Sequence, residues 1–165
     1  MGLFDLFFAK DPSSDWPQPS NQPLLVSLVD GSINGLKIGA PANTLCKFGR
    51  PANKSPFKEN RFLFDQIGVL VETENERISY LGLPVERVDT DDVGPCEFTI
   101  KFRDGKKLLV NSGTSAAAML DNLPAITESD IDAEETVHLI ELDTLSLELE
   151  MAPTGKMRRV NLYSR

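Results

Sequence analysis

The sequence has few of the residues on which most enzymes depend. Its 165 residues include one histidine, His138, and two cysteines, Cys46 and Cys96. A nucleophile needs an oriented base beside it, and the chain has no Gly-x-Ser-x-Gly motif and no Gly-rich phosphate loop. The composition therefore favours a non-enzymatic protein that needs no cofactor. A small hydrolase or transferase that uses His138 is the alternative that the sequence leaves open.

Positive charge is absent from a long part of the chain. Residues 108–155 carry ten acidic side chains and no Lys or Arg, and the net charge of the whole chain is −8. Because no basic stripe is present to neutralise phosphates, nucleic acid is not expected as a partner. The charge predicts instead a basic protein partner, although a solvated face that aids solubility explains the same residues more simply. The residues expected to contact the partner are Glu128, Asp130, Asp132, Glu134 and Glu135.

Long hydrophobic runs are also missing. Hydrophobic residues make up 41% of the chain, which suffices for a core but includes no stretch long enough to cross a bilayer. Residues 1–10 are apolar, yet no basic residue precedes the apolar part and no signal-peptide cleavage site follows it. Docking of this segment on the core is favoured over a membrane anchor, and stable insertion is not expected. A structural, envelope-associated role through residues 1–10 is a third hypothesis.

The scarcity of cysteine predicts a cytoplasmic protein with free thiols, since two cysteines do not form a disulfide framework. A Cys46–Cys96 bridge and the oligomeric state are left open by the sequence. Metal binding is not expected either. If Asp130 is position one of a calcium loop, Glu141 falls on position twelve, but Glu135 occupies position six, where the sharp turn requires glycine.

The chain is organised around a short predicted helix. Asp11–Pro23 is a Pro-rich linker, in which Trp16 is expected to plug the domain surface. In the stretch 38–51, Pro41 lies near the first helical position and Gly49 can adopt the left-handed backbone that ends a helix. A weaker copy spans residues 113–125 and places Asn122 where Gly49 stands in the first.

A hairpin precedes each predicted helix, and three strands follow it. The dipeptides Asp30-Gly31 and Asp104-Gly105 mark the hairpin turns, whereas the segments 52–60 and 127–135 are predicted to be loops. The predicted fold is α+β, with two tandem helix-plus-antiparallel-meander units that form one curved antiparallel sheet with two short helices packed on it. The boundaries are 1–23 for the apolar segment and linker, 24–90 for unit one and 91–165 for unit two, in one compact domain.

This order resembles a known fold. The matching residues are Gly39, the run Phe48-Gly49-Arg50-Pro51 and, more weakly, Asn122-Leu123-Pro124. The pattern over residues 32–163 is similar to the tandem-repeat fold of β-lactamase inhibitory protein and to the single-unit fold of outer-membrane assembly lipoproteins. The chain has neither a lipobox cysteine nor a four-cysteine pattern. The resemblance implies a binding scaffold, and small immunity-like bacterial proteins have the same general character.

Overall fold

The computed structural model describes residues 11–87 and 93–164. The segment 1–10, for which docking or membrane association was predicted, and the boundary between residues 90 and 91 lie outside the described residues. Twelve strands occur in the described residues: β1 (Leu24–Ser27), β2 (Ser32–Ile33), β3 (Leu36–Lys37), β4 (Arg61–Phe64), β5 (Val69–Glu74), β6 (Arg77–Pro84), β7 (Phe98–Lys101), β8 (Lys107–Val110), β9 (Glu128–Ile131), β10 (Thr136–Glu141), β11 (Leu145–Met151) and β12 (Met157–Ser164).

The helices are short. Two α-helices, α1 (Pro56–Glu59) and α2 (Ala116–Leu120), accompany three 3-10 segments at Pro12–Asp15, Ala42–Phe48 and Asp65–Ile67. The first predicted helix is therefore a 3-10 helix, and Gly49 ends it with φ 92°. The predicted likeness of Asn122 to Gly49 is wrong, because Asn122 does not have a positive φ and α2 is capped by Asp121 with right-handed backbone (φ −58°, ψ −18°). The predicted loop 52–60 contains α1, in which proline occupies the start and a left-handed Asn60 the end.

The prediction of an α+β fold is confirmed, but the single curved sheet is not. The strands form a five-stranded sheet in the order β3-β2-β1-β7-β8 and a seven-stranded sheet in the order β4-β5-β6-β12-β11-β10-β9. The hairpin that contains β1 and the hairpin that contains β7 are joined by parallel pairing of these two strands. The hairpins therefore form a sheet of their own, separate from the sheet of the strands that follow the helices. Each sheet combines strands from both halves of the chain, and buried residues of both sheets belong to one hydrophobic core.

The Pro-rich segment packs against this core rather than standing free. The ring of Trp16 stacks on that of Phe62, with the ring centroids 6.1 Å apart. It also contacts Phe57 edge to face, with the centroids 5.6 Å apart. The backbone N–H of Arg50 donates to the carbonyl of Pro17 at 2.7 Å. The prediction that Trp16 plugs the domain surface is confirmed, because an aromatic ring in this linker removes apolar area from water.

The predicted acidic loop 127–135 is partly wrong, since Glu128–Ile131 forms strand β9. All four of its residues are exposed, so the segment lacks the alternation of buried and exposed positions by which a strand is recognised. The segment is a strand because it pairs with β10: Asp130 lies opposite Val137, and Glu128 lies opposite Leu139. Strand β9 is the last strand at this edge of the seven-stranded sheet.

Candidate functional site

The seven-stranded sheet has an apolar inner face and a polar outer face. Along β11 the burial alternates, with Leu147 and Leu149 fully buried in the core and Glu148 and Glu150 on the opposite face. The register places Asn161 of β12 beside Glu148. Side chains that lie opposite each other on neighbouring strands share a face. The outer face therefore gathers polar residues from β6, β11 and β12 at the middle of the sheet.

These residues form a hydrogen-bonded network, which we call the tyrosine–carboxylate network: Tyr80, Glu148, Glu150, Asn161 and Tyr163. The amide Nδ2 of Asn161 donates to Glu148 Oε1 at 2.8 Å and to Glu150 Oε1 at 2.7 Å. Its Oδ1 accepts the Tyr80 hydroxyl at 2.9 Å, and the Tyr163 hydroxyl donates to Glu148 Oε1 at 2.8 Å. Asn161 is 1% exposed, so a fully buried neutral amide holds two half-buried carboxyl groups together.

Burial shifts the titration of this network. Desolvation raises the pKa of Glu150 above its ordinary value, although the hydrogen bond from Asn161 opposes the shift. Burial also raises the pKa of Tyr80 to about 12 and that of Tyr163 further in the same direction, the latter with help from its hydrogen bond to Glu148. Both hydroxyls are therefore protonated donors at neutral pH. The network is built to hold charge in place rather than to supply a phenolate nucleophile.

A cavity of about 250 Å³ opens beside the network, towards β9. We call it the acidic pocket, and it is lined by Glu128, Asp130, Val137, Leu139 and Glu148. Three of the five lining residues are acidic, and the two aliphatic side chains come from β10, between the acidic strands β9 and β11. An apolar floor between carboxylates suits a group that has an aliphatic stem and a cationic head, as lysine and arginine have.

The structure divides the five residues that were predicted to contact a partner. Glu128 and Asp130 line the acidic pocket. Asp132 instead closes the turn after β9, where its Oδ1 accepts the backbone N–H groups of Glu134 (2.7 Å) and Glu135 (2.8 Å). The hydrogen bonds from these backbone donors lower the pKa of the Asp132 carboxyl, and the one from Glu135 contributes most. Asp132 is thus engaged in shaping the turn.

The other two predicted residues, Glu134 and Glu135, are linked to a cation of the same chain. Arg158 Nη1 donates to the Glu134 carbonyl at 3.0 Å and lies 3.8 Å from Glu135 Oε2. This contact ties the β9–β10 turn to β12. Arg158 therefore offsets part of the negative charge at the turn.

His138 lies on the face of β10 opposite the acidic pocket, because its neighbours Val137 and Leu139 line that pocket. Its Nδ1 forms a hydrogen bond with the hydroxyl Oγ of Ser129 on β9, at 2.8 Å. A base and a nucleophile are therefore in contact, but at an exposed sheet edge. Among the described residues, no third side chain is hydrogen-bonded to the imidazole to orient it.

The remaining candidates are placed as follows. Among the described residues, no three His, Cys, Asp or Glu side chains come together as a metal-binding group. Cys46 and Cys96 are free thiols, which answers the question of a bridge between them, and burial raises the pKa of Cys96 to about 12. Within the described ranges, no helix is both long and apolar enough to span a membrane.

A second cavity, of about 360 Å³, lies between the β7–β8 turn and the end of α2. Its cationic side chains are already paired: Arg103 Nη1 is 2.9 Å from Asp143 Oδ2, and Lys106 Nζ is 3.1 Å from Asp104 Oδ2. A ligand there would have to displace intramolecular carboxylates. The acidic pocket is the better candidate, because a cationic group entering it meets carboxylates on β9.

The tyrosine–carboxylate network was not among the sites predicted from the sequence. Its members are spread over three strands, and Tyr80 and Asn161 are 81 residues apart. One local signal was present: Gly82 stands inside a strand, where glycine often marks a close approach. A Cβ at Gly82 would lie 2.6 Å from the Tyr80 hydroxyl oxygen, so the phenol ring packs across this glycine.

Comparison with known proteins yields a structural relationship. No protein-family model and no curated protein sequence matches the chain. The fold is similar to the crystal structure of a DUF4309 family protein, YjgB, from Bacillus subtilis subsp. subtilis str. 168. The two share 14% sequence identity at a TM-score of 0.51, over 81% of this chain and 84% of that one. At this identity the similarity concerns the fold alone.

Proposed function

We propose that the protein is a non-enzymatic binding module that captures a basic protein partner at the acidic pocket, as an inhibitor or immunity-like protein would. The observation that carries this proposal is the position of Glu128 and Asp130, which are exposed on an edge strand beside the aliphatic floor formed by Val137 and Leu139. A lysine or arginine side chain can lay its stem on that floor and its head against the carboxylates.

Electrostatics supports this proposal in two ways. Residues 108–155 hold no Lys or Arg, so the three strands that line the pocket contribute only negative charge to its field. One exposed ion pair at 4 Å is worth about 1 kcal/mol in water, so several pairs and the aliphatic contact must act together. Complementary charge also speeds diffusional encounter, and that advantage falls as salt rises.

The free thiols support a cytoplasmic location for this activity, since thiols stay reduced there.

The scaffold is part of the proposal. We infer that residues 24–90 and 91–165 are tandem units like those of β-lactamase inhibitory protein. The order β4-β5-β6 followed by β12-β11-β10 supports this, because the strands of the two halves occur in mirrored sequence about the β6–β12 pair. Strand β9 then extends the second half by one strand, and the acidic pocket lies at that extension.

A pull-down with a charge-neutralised variant tests the function. The chain, immobilised, is exposed to a native lysate at low and high salt, and bound proteins are quantified by mass spectrometry. We expect a basic protein to be enriched at low salt, with about tenfold less recovered on Glu128→Gln/Asp130→Asn, because the variant removes two of the carboxylates that face the ligand.

The matched control is Glu74→Gln/Glu76→Gln, which removes the same charge from the exposed β5–β6 end. Four strands lie between β5, which carries Glu74, and β9 in the sheet. The control should bind as the unaltered chain does. Equal loss in both variants would show that net charge alone attracts the partner, and a partner retained by the pocket variant would contradict the proposed site.

A second function is favoured by one observation, the 2.8 Å contact between Ser129 Oγ and His138 Nδ1. In a hydrolase, His138 would accept the Ser129 proton while the oxygen attacks an ester carbonyl, and the departing alcohol would take that proton from His138. A water deprotonated by His138 would then hydrolyse the acyl-serine to the free acid and restore Ser129. A fluorophosphonate probe tests this, because it labels activated serines. Labelling that is lost in both Ser129→Ala and His138→Gln would establish an activated Ser129; we expect no labelling above that of the Ser129→Ala chain.

A further inference from the structure

Strand β9 offers backbone groups as well as charge. It is the terminal strand of its sheet in the described part of the chain, so one of its two edges pairs with β10 and the other does not pair with a described strand. Strand edges are usually protected by short length, by charged side chains, above all Lys, by Pro or by a bulge, and the two carboxylates of this four-residue strand discourage an acidic or neutral strand but not a basic one. The sequence Glu-Ser-Asp-Ile of β9 contains neither Lys nor Pro.

The register shows which groups face outward. Asp132 N–H donates to the Glu135 carbonyl at 3.0 Å, and the pairing continues as Asp130 opposite Val137. In an antiparallel ladder, hydrogen-bonded pairs alternate along the strand, so Asp130 faces β10 with its backbone. The N–H and C=O groups of Ser129 and Ile131 then point away from β10, towards the open edge.

The side chains at this edge specify what could pair there. On the outer face Glu128 and Asp130 line the acidic pocket, and on the inner face Ile131 is 70% exposed. Residues directly opposite in an antiparallel pair lie on the same face, with Cβ atoms about 5 Å apart. A complementary segment would therefore alternate cationic residues, facing the pocket, with aliphatic residues, facing Ile131.

We propose that the basic partner binds as an extended segment of alternating cationic and aliphatic residues, which adds to β9 as an antiparallel strand. This inference rests on the proposed function and states how that function is carried out. Backbone hydrogen bonds to Ser129 and Ile131 supply affinity, and the pocket supplies selectivity for lysine or arginine at every second position.

Synthetic peptides test this directly with the full chain. The probe is the labelled peptide Thr-Lys-Val-Lys-Val-Lys-Thr, and the control is Lys-Lys-Lys-Val-Val-Thr-Thr, which has the same composition and charge. Fluorescence anisotropy at low salt should show the alternating peptide binding about tenfold more tightly, because only this peptide can place its cations on one face while its backbone pairs with β9.

Backbone N-methylation provides a test that leaves the protein unchanged. In the proposed pairing, valines lie opposite Ser129 and Ile131, and their N–H groups donate to β9. N-methylation of both valines should weaken binding about tenfold or more, whereas N-methylation of the flanking lysines should change it by less than about threefold.

The outcomes separate the two proposals. If the alternating and the block peptide bind equally, or if N-methylated valines are tolerated, strand addition is wrong while capture by charge stands. If neither peptide binds at about 1 mM at low salt, capture of cationic segments is contradicted as well. If N-methylated lysines alone prevent binding, the pairing is parallel, and the antiparallel model is overturned.

Discussion

Replacing Asn161 by aspartate should destabilise the protein by about 3 kcal/mol or more at pH 7. The Asn161 amide donates to both Glu148 and Glu150 from a position that is 1% exposed. Asn161→Asp removes both donors and adds a third carboxyl group at the same place. A buried charge that loses its partner costs about 3–5 kcal/mol. Arg159, whose Nη1 lies 3.6 Å from Glu150 Oε1, and Arg158 offset part of the added negative charge, which is why we expect a loss near the lower end of that range. Chemical denaturation followed by fluorescence measures the loss.

The loss should depend on pH with a definite sign. Burial raises the pKa of Glu150, so the folded state binds a proton there at a higher pH than the unfolded chain does. Protonation at this position favours folding, and the resulting stability is lost as the pH rises through the folded-state pKa. Asn161→Asp crowds the carboxyls further, so its deficit relative to the unaltered chain should shrink between about pH 7 and pH 5.

A second variant shows whether charge or shape causes this effect. Glu148→Gln in the Asn161→Asp background restores an amide donor and returns the number of acidic groups to that of the native network. It should recover more than half of the lost free energy of unfolding. If Asn161→Asp costs less than about 1 kcal/mol, or if its deficit does not change with pH, the network is not the buried arrangement described above.

Gly49→Ala should cost about 3 kcal/mol of unfolding free energy. Gly49 has φ 92° and ψ −165°, a region of backbone conformation that is nearly exclusive to glycine. A Cβ there would lie 2.5 Å from the Cα and 2.6 Å from the N of Pro19, so the segment that carries Trp16 would have to move. Backbone strain of about 1–3 kcal/mol is thus combined with the loss of packing on Phe62.

Gly105→Ala is the matched control for this variant. Gly105 also has a positive φ, of 86°, but a Cβ at this position meets nothing within 4 Å. The control should cost only about 1 kcal/mol, the conformational part of the penalty. Thermal unfolding of both variants, with tryptophan fluorescence as the readout, separates the two contributions. Equal costs would mean that Gly49 does not hold the linker against the core.

Local chemistry made several elements predictable. The hairpin turns at Asp30-Gly31 and Asp104-Gly105 occur where the turn residues require them, with positive φ at both glycines. The strand Leu145–Met151 shows strict alternation in sequence and strict alternation of burial in the structure. Each of these features depends on residues within a few positions of one another, which is why the sequence alone revealed them.

Long-range pairing was not predictable in the same way. The parallel contact between β1 and β7 joins Leu24 to Phe98, and the residues between them give no sign that the hairpins leave the main sheet. The network at Asn161 exists only once the register between β11 and β12 is known. For the acidic segment, sequence indicated the charge of Glu128 and Asp130 but not the strand that presents them, since β9 has no buried face.

The position of β12 has a consequence for synthesis of the chain on the ribosome. This strand follows every other described strand in the sequence, yet it lies between β6 and β11 in the seven-stranded sheet. Until residues 157–164 emerge, β6 and β11 expose unpaired backbone and apolar side chains such as Leu81 and Leu147 to solvent. Folding of this sheet is therefore completed after translation of β12, and the nascent chain presents a chaperone substrate until then.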